Sequence, residues 1–476
     1  MKLSKKLEHN VENIKKQINS DDITFLQVKI HKTDGVLVFV NDLVDKESIG
    51  ELILKPISFC KKKLSEKQLF DLFLSPEKKQ IFNCADSISD LLLGNAVLLV
   101  DGINFALSFG LKKFEQRAIT EPPTSTVIKG PREGFVESLY VNVSMMRRKI
   151  KSPSMTFENL TVGEYSKTPV SICYIKGVAD QKLVEEIKKR ISKIKIDAVL
   201  DSSYLSKFLN EHKFSLFKQV GNTEKPDILA GKILEGRVAI FVDGSPIALT
   251  VPYLLVEDFQ SASDYYNSSY SATVARYIRI ISVVLALFLP ALFVSAELFH
   301  LQLIPLSFLL TIVNSIKGIP LSPSYEMFFT LLIFEILNEA SVRMPKYVGM
   351  VVSIVGGLVL GETAVNAGII SAPTLMIVAL SGICLYTVPE LEQTFSVLRI
   401  VLLLVAGTSG LYGVLIYVAL LLVYLITFEN YSTPICAPFS PMIISDMKDG
   451  IYKGFIQELE FRPKSLKNKN KRRVAK

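Results

Sequence analysis

The chain contains no aspartate between Asp264 and Asp446, and this gap divides it into two kinds of region. Charged side chains are dense before the gap, whereas long apolar runs dominate within it. The whole-chain values, 21% charged residues and a mean hydropathy of +0.34, average these two regions. Apolar runs of about 20 residues are typical of membrane helices. The sequence therefore predicts a water-soluble N-terminal half, a membrane region and a short basic tail.

The N-terminal segment carries no apolar core of the kind found in signal peptides. Residues 1–22 are rich in lysine and polar, and we expect them to form a mobile basic arm on a soluble half that stays in the cytosol. The five cysteines lack CxxC spacing and the four histidines form no HExxH motif. We therefore expect no disulfide framework, no metal site and no cofactor.

Two stretches of the soluble half are alike. The segment "LGNAVLLVDGINFAL" (93–107) aligns without gaps on "EGRVAIFVDGSPIAL" (235–249). Each copy has the pattern of a strand, an Asp-Gly turn and a second strand, which predicts a β-hairpin. We interpret the repeat as two related α/β or α+β subdomains, residues 23–120 and 160–270, although Val-Asp-Gly hairpins also recur by chance. The turn aspartates suit such turns and need no catalytic role.

A linker is predicted between the subdomains, at residues 121–159. Gly130 and Pro131 are expected to start an amphipathic helix, because proline is tolerated in a first helical turn. The apolar stripe of this helix is Val136, Leu139, Val143, Met146 and Ile150. The basic residues 147–149 suit the negative C-terminal end of a helix.

The apolar region, residues 275–430, contains several candidate membrane segments. They are residues 277–299, 301–316, 325–345, 350–370, 372–388 and 397–428. The second is short and the last is long enough to break within 407–413. Basic residues such as Arg276, Arg279 and Arg399, together with the tail 431–476, predict that both chain ends are cytoplasmic. We therefore expect an even number of crossings, four, with additional amphipathic or re-entrant pieces.

Two of the apolar segments carry polar side chains. These are Glu335, Asn338, Glu339 and Arg343 in one segment, and Glu362 and Asn366 in the other. The first set lies along one helix face. A charge at the bilayer centre costs about 2.5 kcal/mol or more, so Glu362 either bonds to a neighbouring helix or faces water and attracts cations. Glu335 and Glu339 either face water near the membrane interface or, repeated around the axis of an oligomer, form acidic rings that suit cation conduction. The second segment also carries the small residues Gly357, Gly361, Ala364 and Gly368, which allow close helix packing.

Several long motifs occur in order along residues 30–460. They are "EPP…GPREGFVESL", "YIKGVAD", "ILEGRVAIFVDG", "FEIL.EA..R.P" and "SIVGGLVLGETAV.AGI". Together they resemble the A subunit of GerA-type spore germinant receptors, a family that includes the stage V sporulation AF protein. The signature residues in this chain include Gly130, Pro131, Arg132, Glu133 and Gly134. We expect them to have a structural and coupling role rather than a catalytic one.

The resemblance implies a multi-span α-helical membrane protein with an N-terminal cytoplasmic α/β region, located in the inner membrane of a bacterial endospore. It implies a nutrient-responsive receptor whose partners are a transporter-like B subunit and a lipoprotein C subunit. It also implies that copies of the chain assemble into a channel for monovalent cations. The alternative within the family is an accessory channel protein, like stage V sporulation AF, that is not itself a nutrient receptor.

Other functional classes have weaker support. A membrane-anchored enzyme needs a catalytic motif, and the sequence contains no P-loop, no GxGxxG after a strand and no GxSxG. A secondary transporter would be expected to repeat within its membrane region, whereas the evident repeat here is in the soluble half. The net charge of +8 owes much to the chain ends, and no nucleic-acid motif accompanies it. We therefore expect no enzymatic activity and no nucleic-acid partner.

Overall fold

A computed structural model describes residues 2–60, 62, 65–75, 77–112, 129–345, 349, 356–358, 361–468 and 470–473. The chain forms two compact units. Unit 1 comprises Met1–Tyr253, Asn430–Thr433 and Gln457–Lys476, and unit 2 comprises Leu254–Glu429 and Pro434–Ile456. The "EPP" motif at 121–123 and much of the 350–370 segment lie outside the described residues.

Unit 1 contains two five-stranded antiparallel sheets. The strands of the first are β1 Ile23–Ile30, β2 Thr33–Val40, β3 Lys78–Ile81, β4 Ala96–Val100 and β5 Ala106–Phe109. Those of the second are β6 Met155–Val162, β7 Thr168–Ile175, β8 Gly221–Thr223, β9 Val238–Val242 and β10 Ala248–Val251. The strand orders are β1-β2-β4-β5-β3 and β6-β7-β9-β10-β8, so the two sheets have one topology. This agreement supports the interpretation of two related subdomains.

Helices cover both faces of each sheet. The first half contains α1 Leu7–Gln17, α2 Lys46–Ile49, a π-helical turn Gly50–Leu54, α3 Lys55–Phe59, α4 Glu66–Leu72 and α5 Cys84–Leu92. The second half contains α6 Leu139–Lys149, α7 Gln181–Ser192, α8 Ser202–Leu209 and α9 Pro226–Leu234. In the first half, α1 and α5 pack on one face and α2 to α4 on the other. In the second half, α6 and α9 lie opposite α7 and α8.

The strand β2 shows why the sheet has a core on each face. Val36 and Val38 pack against α1 and α5. Leu37 and Phe39, which alternate with them, pack against the helices of the other face. Successive strand residues point to opposite sides of a sheet, so a continuous apolar run requires cover on both sides.

The opening helix of each half is capped from the Asp-Gly hairpin. The Leu7 N–H donates to Asp101 Oδ1 at 3.1 Å, and the Leu139 N–H donates to Asp243 Oδ1 at 3.0 Å. A carboxylate suits the start of a helix, where backbone N–H groups lack helical partners. The turn aspartates therefore hold a helix in place, a role that the Asp-Gly pattern alone does not predict.

The glycines of the two hairpins share a backbone conformation and a hydrogen bond. Gly102 and Gly244 have φ of +82° and +87°, which glycine adopts readily. Their N–H groups donate to the carbonyls of Lys5 and Glu137, each at 2.8 Å. The whole turn, and not only its sequence, is thus repeated in the two halves.

Residues 1–22 are not the separate arm that their composition suggests. They contribute α1, whose Leu7 and Ile14 are buried in the first core together with Ile18 beyond its end. These side chains lie on one helix face, while the lysines lie on the solvent side. The high lysine content hides this apolar stripe.

The predicted linker helix starts later than expected. Residues 131–138 are not helical, and α6 begins at Leu139. Asn142 holds the preceding turn, because its side chain accepts from the Val136 N–H at 2.9 Å and donates to the Val136 carbonyl at 2.6 Å. Asn10 bonds Ser4 in the same way in the first half. Since α6 corresponds to α1, this segment opens the second subdomain and is not a linker.

Unit 2 is helical. Its longer elements are α10 Ala262–Tyr266, α11 Ser269–Phe299, α12 Leu306–Ile316, α13 Pro323–Arg343, α14 Ala372–Leu385, α15 Glu392–Thr427 and α16 Met447–Gly450. Short 3-10 turns are Leu255–Phe259, Leu301–Leu303 and Pro389–Leu391 in unit 2, and Lys464–Leu466 in unit 1. A strand pair, Glu429–Asn430 and Thr433–Pro434, follows α15. The helices α11, α13, α14 and α15 share an apolar core.

Two helical stretches of the described residues are long and apolar enough to cross a membrane, Ser269–Phe299 and Pro389–Thr427. The apolar helices α12 and α14 have 11 and 14 residues, fewer than the roughly 20 that span a bilayer. The expected four full crossings are therefore not confirmed. The expected break in the last segment is confirmed, because Gly410 has φ +61° and ψ −151° inside α15.

The predicted basic tail is partly packed on unit 1. Arg462 donates from Nε to the Leu234 carbonyl at 2.7 Å, and Arg473 pairs with Glu235 at 2.8 Å. These two contacts hold the described part of the tail on unit 1.

Candidate functional site

An ion pair between the buried Arg399 and the partly exposed Glu335 joins the polar face of α13 to α15. Glu335 Oε1 accepts hydrogen bonds from Arg399 Nη2 and Ser396 Oγ, each at 2.5 Å. Arg399, only 1% exposed, also donates to Ser381 Oγ at 2.7 Å, and Ser381 donates to the Ala286 carbonyl. The network therefore links α11, α13, α14 and α15. Arg399 does not flank the apolar region, as the sequence analysis assumes, but lies inside it.

Asn338 extends this internal network. Its Nδ2 donates to Glu392 Oε1 at 2.6 Å, and its Oδ1 accepts from the Tyr386 hydroxyl at 2.9 Å. Asn338 thus connects α13 with the start of α15 and with the residue that follows α14. Glu335 and Asn338 therefore bond to neighbouring elements, whereas the sequence predicts either a stripe that faces water or an acidic ring.

The other half of the predicted stripe faces outward. Glu339 and Arg343 form an ion pair of 2.5 Å along α13, with side chains 63% and 77% exposed. The four polar residues of α13 therefore do not act as one face. Glu335 and Asn338 bond to other elements of unit 2, whereas Glu339 and Arg343 are exposed.

Glu362 and Asn366 are also exposed. Both lie in helical residues 361–366, at the spacing that places them on one side of the helix. The structure does not bring them into contact with Glu335 or Asn338. They resemble Glu339 and Arg343 in presenting polar groups on the surface of an apolar unit.

The small residues of the same segment differ in how closely neighbouring side chains approach them. Gly361 is buried, and a Cβ placed there would lie 3.3 Å from Leu375. No described residue lies within 4 Å of the Cβ positions of Gly357 and Gly368, and Ala364 is half-buried. The predicted close helix approach is thus present at Gly361.

A second buried charge cluster lies at the start of α11. Asp264 accepts from Arg276 Nε at 3.0 Å and from both terminal nitrogens of Arg279 at 2.9 Å. Arg276 is fully buried and also donates to Asp449 Oδ1 at 3.1 Å. Burial alone would raise the pKa of Asp264, but the hydrogen bonds from Arg279 and its charge hold that pKa below its usual range. These arginines therefore fix the start of the helix.

In unit 1 a buried arginine joins the two subdomains. Arg147 of α6 is fully buried and donates to Asp22 through Nε at 2.7 Å and through Nη2 at 2.8 Å. Nη2 also reaches Ser20 Oγ at 2.9 Å, and the guanidinium lies 4.9 Å from the Phe157 ring centroid. Asp22 and Ser20 precede β1 of the first half. The predicted role of residues 147–149 at a helix end misses this long-range pair.

The family signature residues are spread along an irregular segment. Glu133 pairs with Arg148 at 3.2 Å and with Lys149 at 3.0 Å. Gly130 and Arg132 are exposed, Pro131 is half-buried and Gly134 is buried. The Glu133 contacts hold the segment against the end of α6, which fits a structural role.

Asp42 should make the stability of unit 1 depend on pH. Burial, and then the charge of Asp22, raise the pKa of Asp42 to about 7. The unfolded value is about 3.9, so the folded chain binds more protons between the two values and its stability falls as pH rises from about 4 to about 7. Asp42→Asn should remove this slope and stabilise the chain at pH 8 by up to about 4 kcal/mol. The measurement is the melting temperature of unit 1 in the full chain across this pH range.

The matched control for Asp42 is Asp34→Asn. Asp34 is exposed and lies 4.0 Å from Lys29, so its replacement should leave the pH dependence of the wild type intact. If the melting temperatures of Asp42→Asn and Asp34→Asn depended equally on pH between about 4 and 7, Asp42 would not be the group that titrates there.

The matching family model and two similar proteins all belong to the spore germination proteins. The family model GerA, described as Bacillus/Clostridium GerA spore germination protein, matches residues 9–465. Spore germination protein KA of Bacillus subtilis (strain 168) is 34% identical, over 100% of this chain and 89% of its own. Spore germination protein GerQA of Bacillus cereus is 34% identical, over 96% of this chain and 92% of its own.

A solved structure also matches the chain. The crystal structure of the N-terminal domain of the A subunit of the Bacillus megaterium spore germinant receptor GerK3 is 32% identical. The match covers 54% of this chain and 98% of that domain, with a TM-score of 0.41.

Proposed function

This chain belongs to the GerA family of spore germination proteins, and we propose that it is a subunit of a nutrient-responsive germination receptor. The observation that carries the proposal is the extent of the family match, residues 9–465, which includes both units. Relatives such as protein KA and GerQA are named spore germination proteins and align over most of their own length. A chain that shares both units with them is expected to act in the same process.

The membrane is the proposed location of unit 2. The two helices that are long enough to cross a bilayer support this, as does the apolar outer surface of α15. On that surface Leu415, Leu420 and Val423 are at least 60% exposed. An apolar surface of this kind is stable against lipid or a partner but not against water. The inner membrane of the spore, with unit 1 and the tail on the cytoplasmic side, is the proposed arrangement.

Several copies of unit 2 together would form a cation channel in this proposal. Glu339, Arg343, Glu362 and Asn366 are exposed although their helices belong to an apolar unit. Facing lipid would be costly for these groups. Symmetric assembly would turn them toward a shared polar interior, where acidic rings favour monovalent cations. Glu335 is excluded from this lining because it is paired with Arg399.

The proposed partners of the chain are further copies of itself, a transporter-like B subunit and a lipoprotein C subunit. The family membership supports these partners. No catalytic step is proposed for the chain. The signature segment 130–134 is given a coupling role, because Glu133 fixes it to the end of α6.

Germination of spores that lack this chain tests the receptor role. Such spores should lose the response to one class of nutrient, such as amino acids, sugars or nucleosides, and should regain it when the chain is restored. The alternative function, an accessory channel protein like stage V sporulation AF, predicts slower germination with every nutrient instead. An unchanged response to all nutrients would contradict both functions.

A further inference from the structure

The tail of unit 1 folds back on itself. The Arg462 N–H donates to the Lys471 carbonyl at 2.9 Å, and the Arg473 N–H donates to the Glu460 carbonyl at 2.7 Å. Between these two bonds the chain makes the 3-10 turn Lys464–Leu466. The basic residues of the tail are therefore held on a closed loop and are not spread along an extended chain.

This loop borders a cavity of about 350 Å³. The described residues that line the cavity are Arg462, Pro463, Lys464, Lys467, Asn468 and Lys471. Four of these six side chains are cations at neutral pH, and none is a carboxylate. The cavity is thus a concave surface on which positive charge is concentrated.

The four cations have no acidic counterpart in the described part of the chain, where none of them forms an ion pair with a carboxylate. Arg462 donates instead to backbone carbonyls, through Nε to Leu234 at 2.7 Å and through Nη1 to Asn470 at 3.2 Å. Glu235, which follows Leu234, is paired with Arg473. Burial, and then the charge of Arg473, lower the pKa of Arg462 below its usual range, as expected for a cation without a compensating anion.

Asn468 adds a buried polar group to the lining. It is 8% exposed, and its Nδ2 donates to the Pro463 carbonyl at 3.2 Å. Its Oδ1 is buried without a hydrogen-bond partner among the described residues. Oδ1 lies beside Gly236, where an added Cβ atom would overlap it. Since a buried acceptor without a partner is costly, this oxygen favours a ligand that brings a donor.

The class of ligand follows from the charge and from this acceptor. Arginine and lysine are the usual partners of phosphate oxygens in proteins. A carboxylate brings one negative charge, whereas a phosphate monoester carries about −1.5 to −2 at neutral pH and, in its protonated fraction, an O–H that donates. A cavity suits a single phosphate group, whereas a nucleic-acid backbone presents its phosphates along an extended surface. We propose that the cavity between Arg462 and Lys471 binds a phosphate group, carried either by a soluble phosphate or by an anionic phospholipid headgroup.

This site goes beyond the proposed receptor and channel functions. Its residues differ from the polar set of unit 2, and phosphate binding requires neither nutrient nor assembly. Arg462 bonds the carbonyl of Leu234, the last residue of α9. A bound phosphate would hold the loop against the end of α9, because it offsets the repulsion among the four cations.

Protection of lysines from chemical modification tests the site in the wild type alone. The purified full chain in detergent is treated with a lysine-acylating reagent, and the modified residues are identified by mass spectrometry. Pyrophosphate and short-chain phosphatidic acid, added separately, are the soluble and the lipid probe, and short-chain phosphatidylcholine is the lipid control. At least one probe should slow the modification of Lys464, Lys467 and Lys471 in a saturable manner, while Lys213, an exposed lysine of unit 1, should react at an unchanged rate. Absence of protection with both probes, or equal protection of Lys213, would overturn the site.

A double variant, Lys464→Gln and Lys471→Gln, tests the contribution of the charges. These two side chains form no hydrogen bond with any part of the chain that the structure describes, so the fold should be retained. The dissociation constant of the protecting probe, measured by titration calorimetry, should rise by at least about tenfold in this variant. Lys213→Gln is the control and should bind like the wild type. Undiminished binding in the double variant would overturn the site, and neither outcome bears on the receptor role, which is measured in spores.

Discussion

Replacement of Arg147 by methionine should lower the free energy of unfolding of unit 1 by about 3–5 kcal/mol. Arg147 is fully buried, and the substitution would leave the carboxylate of Asp22 buried with no positive partner. It would also remove the hydrogen bond to Ser20, which itself accepts from the Phe157 N–H at 2.8 Å. Since Ser20 and Asp22 precede the first sheet and Phe157 lies in the second, both subdomains should be affected. Hydrogen exchange of the β2 and β7 amides in the full chain measures this effect.

The neighbouring arginine provides the control for Arg147. Arg148 is partly exposed and pairs with Glu133, so Arg148→Met should cost at most about 1 kcal/mol. Replacing Asp22 and Arg147 together by apolar residues should cost less than Arg147→Met alone, because no buried charge is left behind. Equal protection from exchange in Arg147→Met and in the wild type would show that the pair does not hold the subdomains together.

Replacement of Arg399 by methionine should destabilise unit 2 by up to about 3 kcal/mol, less than a fully buried pair, because the Glu335 side chain is 21% exposed. Arg399 joins Glu335 of α13 to Ser381 of α14, and Ser381 in turn bonds a carbonyl of α11. Without Arg399, the carboxylate of Glu335 would keep only the bond from Ser396 among the described residues. The melting temperature of the purified chain in detergent, followed by intrinsic tyrosine fluorescence, measures the loss.

The ion pair of Glu339 and Arg343 serves as the control for Arg399. It lies on the same helix as Glu335 but is exposed, so Arg343→Met should change the melting temperature little. The double variant Glu335→Leu and Arg399→Met should be more stable than Arg399→Met alone. If Arg399→Met were as stable as the wild type, Glu335 would not need its ion pair with Arg399, and the pair would not stabilise unit 2.

The repeated hairpins show what a local pattern can predict. Strand, turn and strand are encoded in adjacent residues, and the match between 93–107 and 235–249 marks two sheets of equal topology. The function of the turn aspartates was not visible in the same pattern. Asp101 and Asp243 cap helices that start 94 and 104 residues earlier in the chain.

The composition of residues 1–22 predicts a mobile arm, and this prediction is wrong. The lysines of residues 1–22 suggested a solvated arm, but the helix Leu7–Gln17 turns them outward and buries a narrow apolar stripe. The helical spacing of Leu7, Ile14 and Ile18 was the available signal. It was weak because only one residue in about four needs to be apolar on such a helix.

Buried charges were the features that sequence patterns could not resolve. Arg147, Arg276 and Arg399 were each assigned to a helix end or a membrane boundary, where basic residues are common. Their partners Asp22, Asp449 and Glu335 are 125, 173 and 64 residues away along the chain. Pairing over such separations follows from tertiary packing and leaves no periodic trace.

For the polar residues of unit 2, the sequence predicts the environment of some side chains but not of others. The sequence predicts for Glu362 either contact with a neighbouring helix or a water-facing position, and for Glu335 and Glu339 either solvent at the interface or an acidic ring. Glu335 and Asn338 have neither environment of their stripe, because both bond to residues of α15. Glu339 and Glu362 are exposed, which leaves the proposed polar interior open to a direct test.

The reversal potential of the purified chain in planar bilayers, under a potassium chloride gradient, tests the proposed cation channel most directly. The wild type should conduct, with a reversal potential displaced toward that of potassium. The double variant Glu339→Gln and Glu362→Gln keeps the shape of both side chains and removes their charge, so its reversal potential should move toward zero while the oligomer stays intact. A wild type without cation preference, or a double variant with unchanged preference, would contradict the proposal that these exposed carboxylates line a channel.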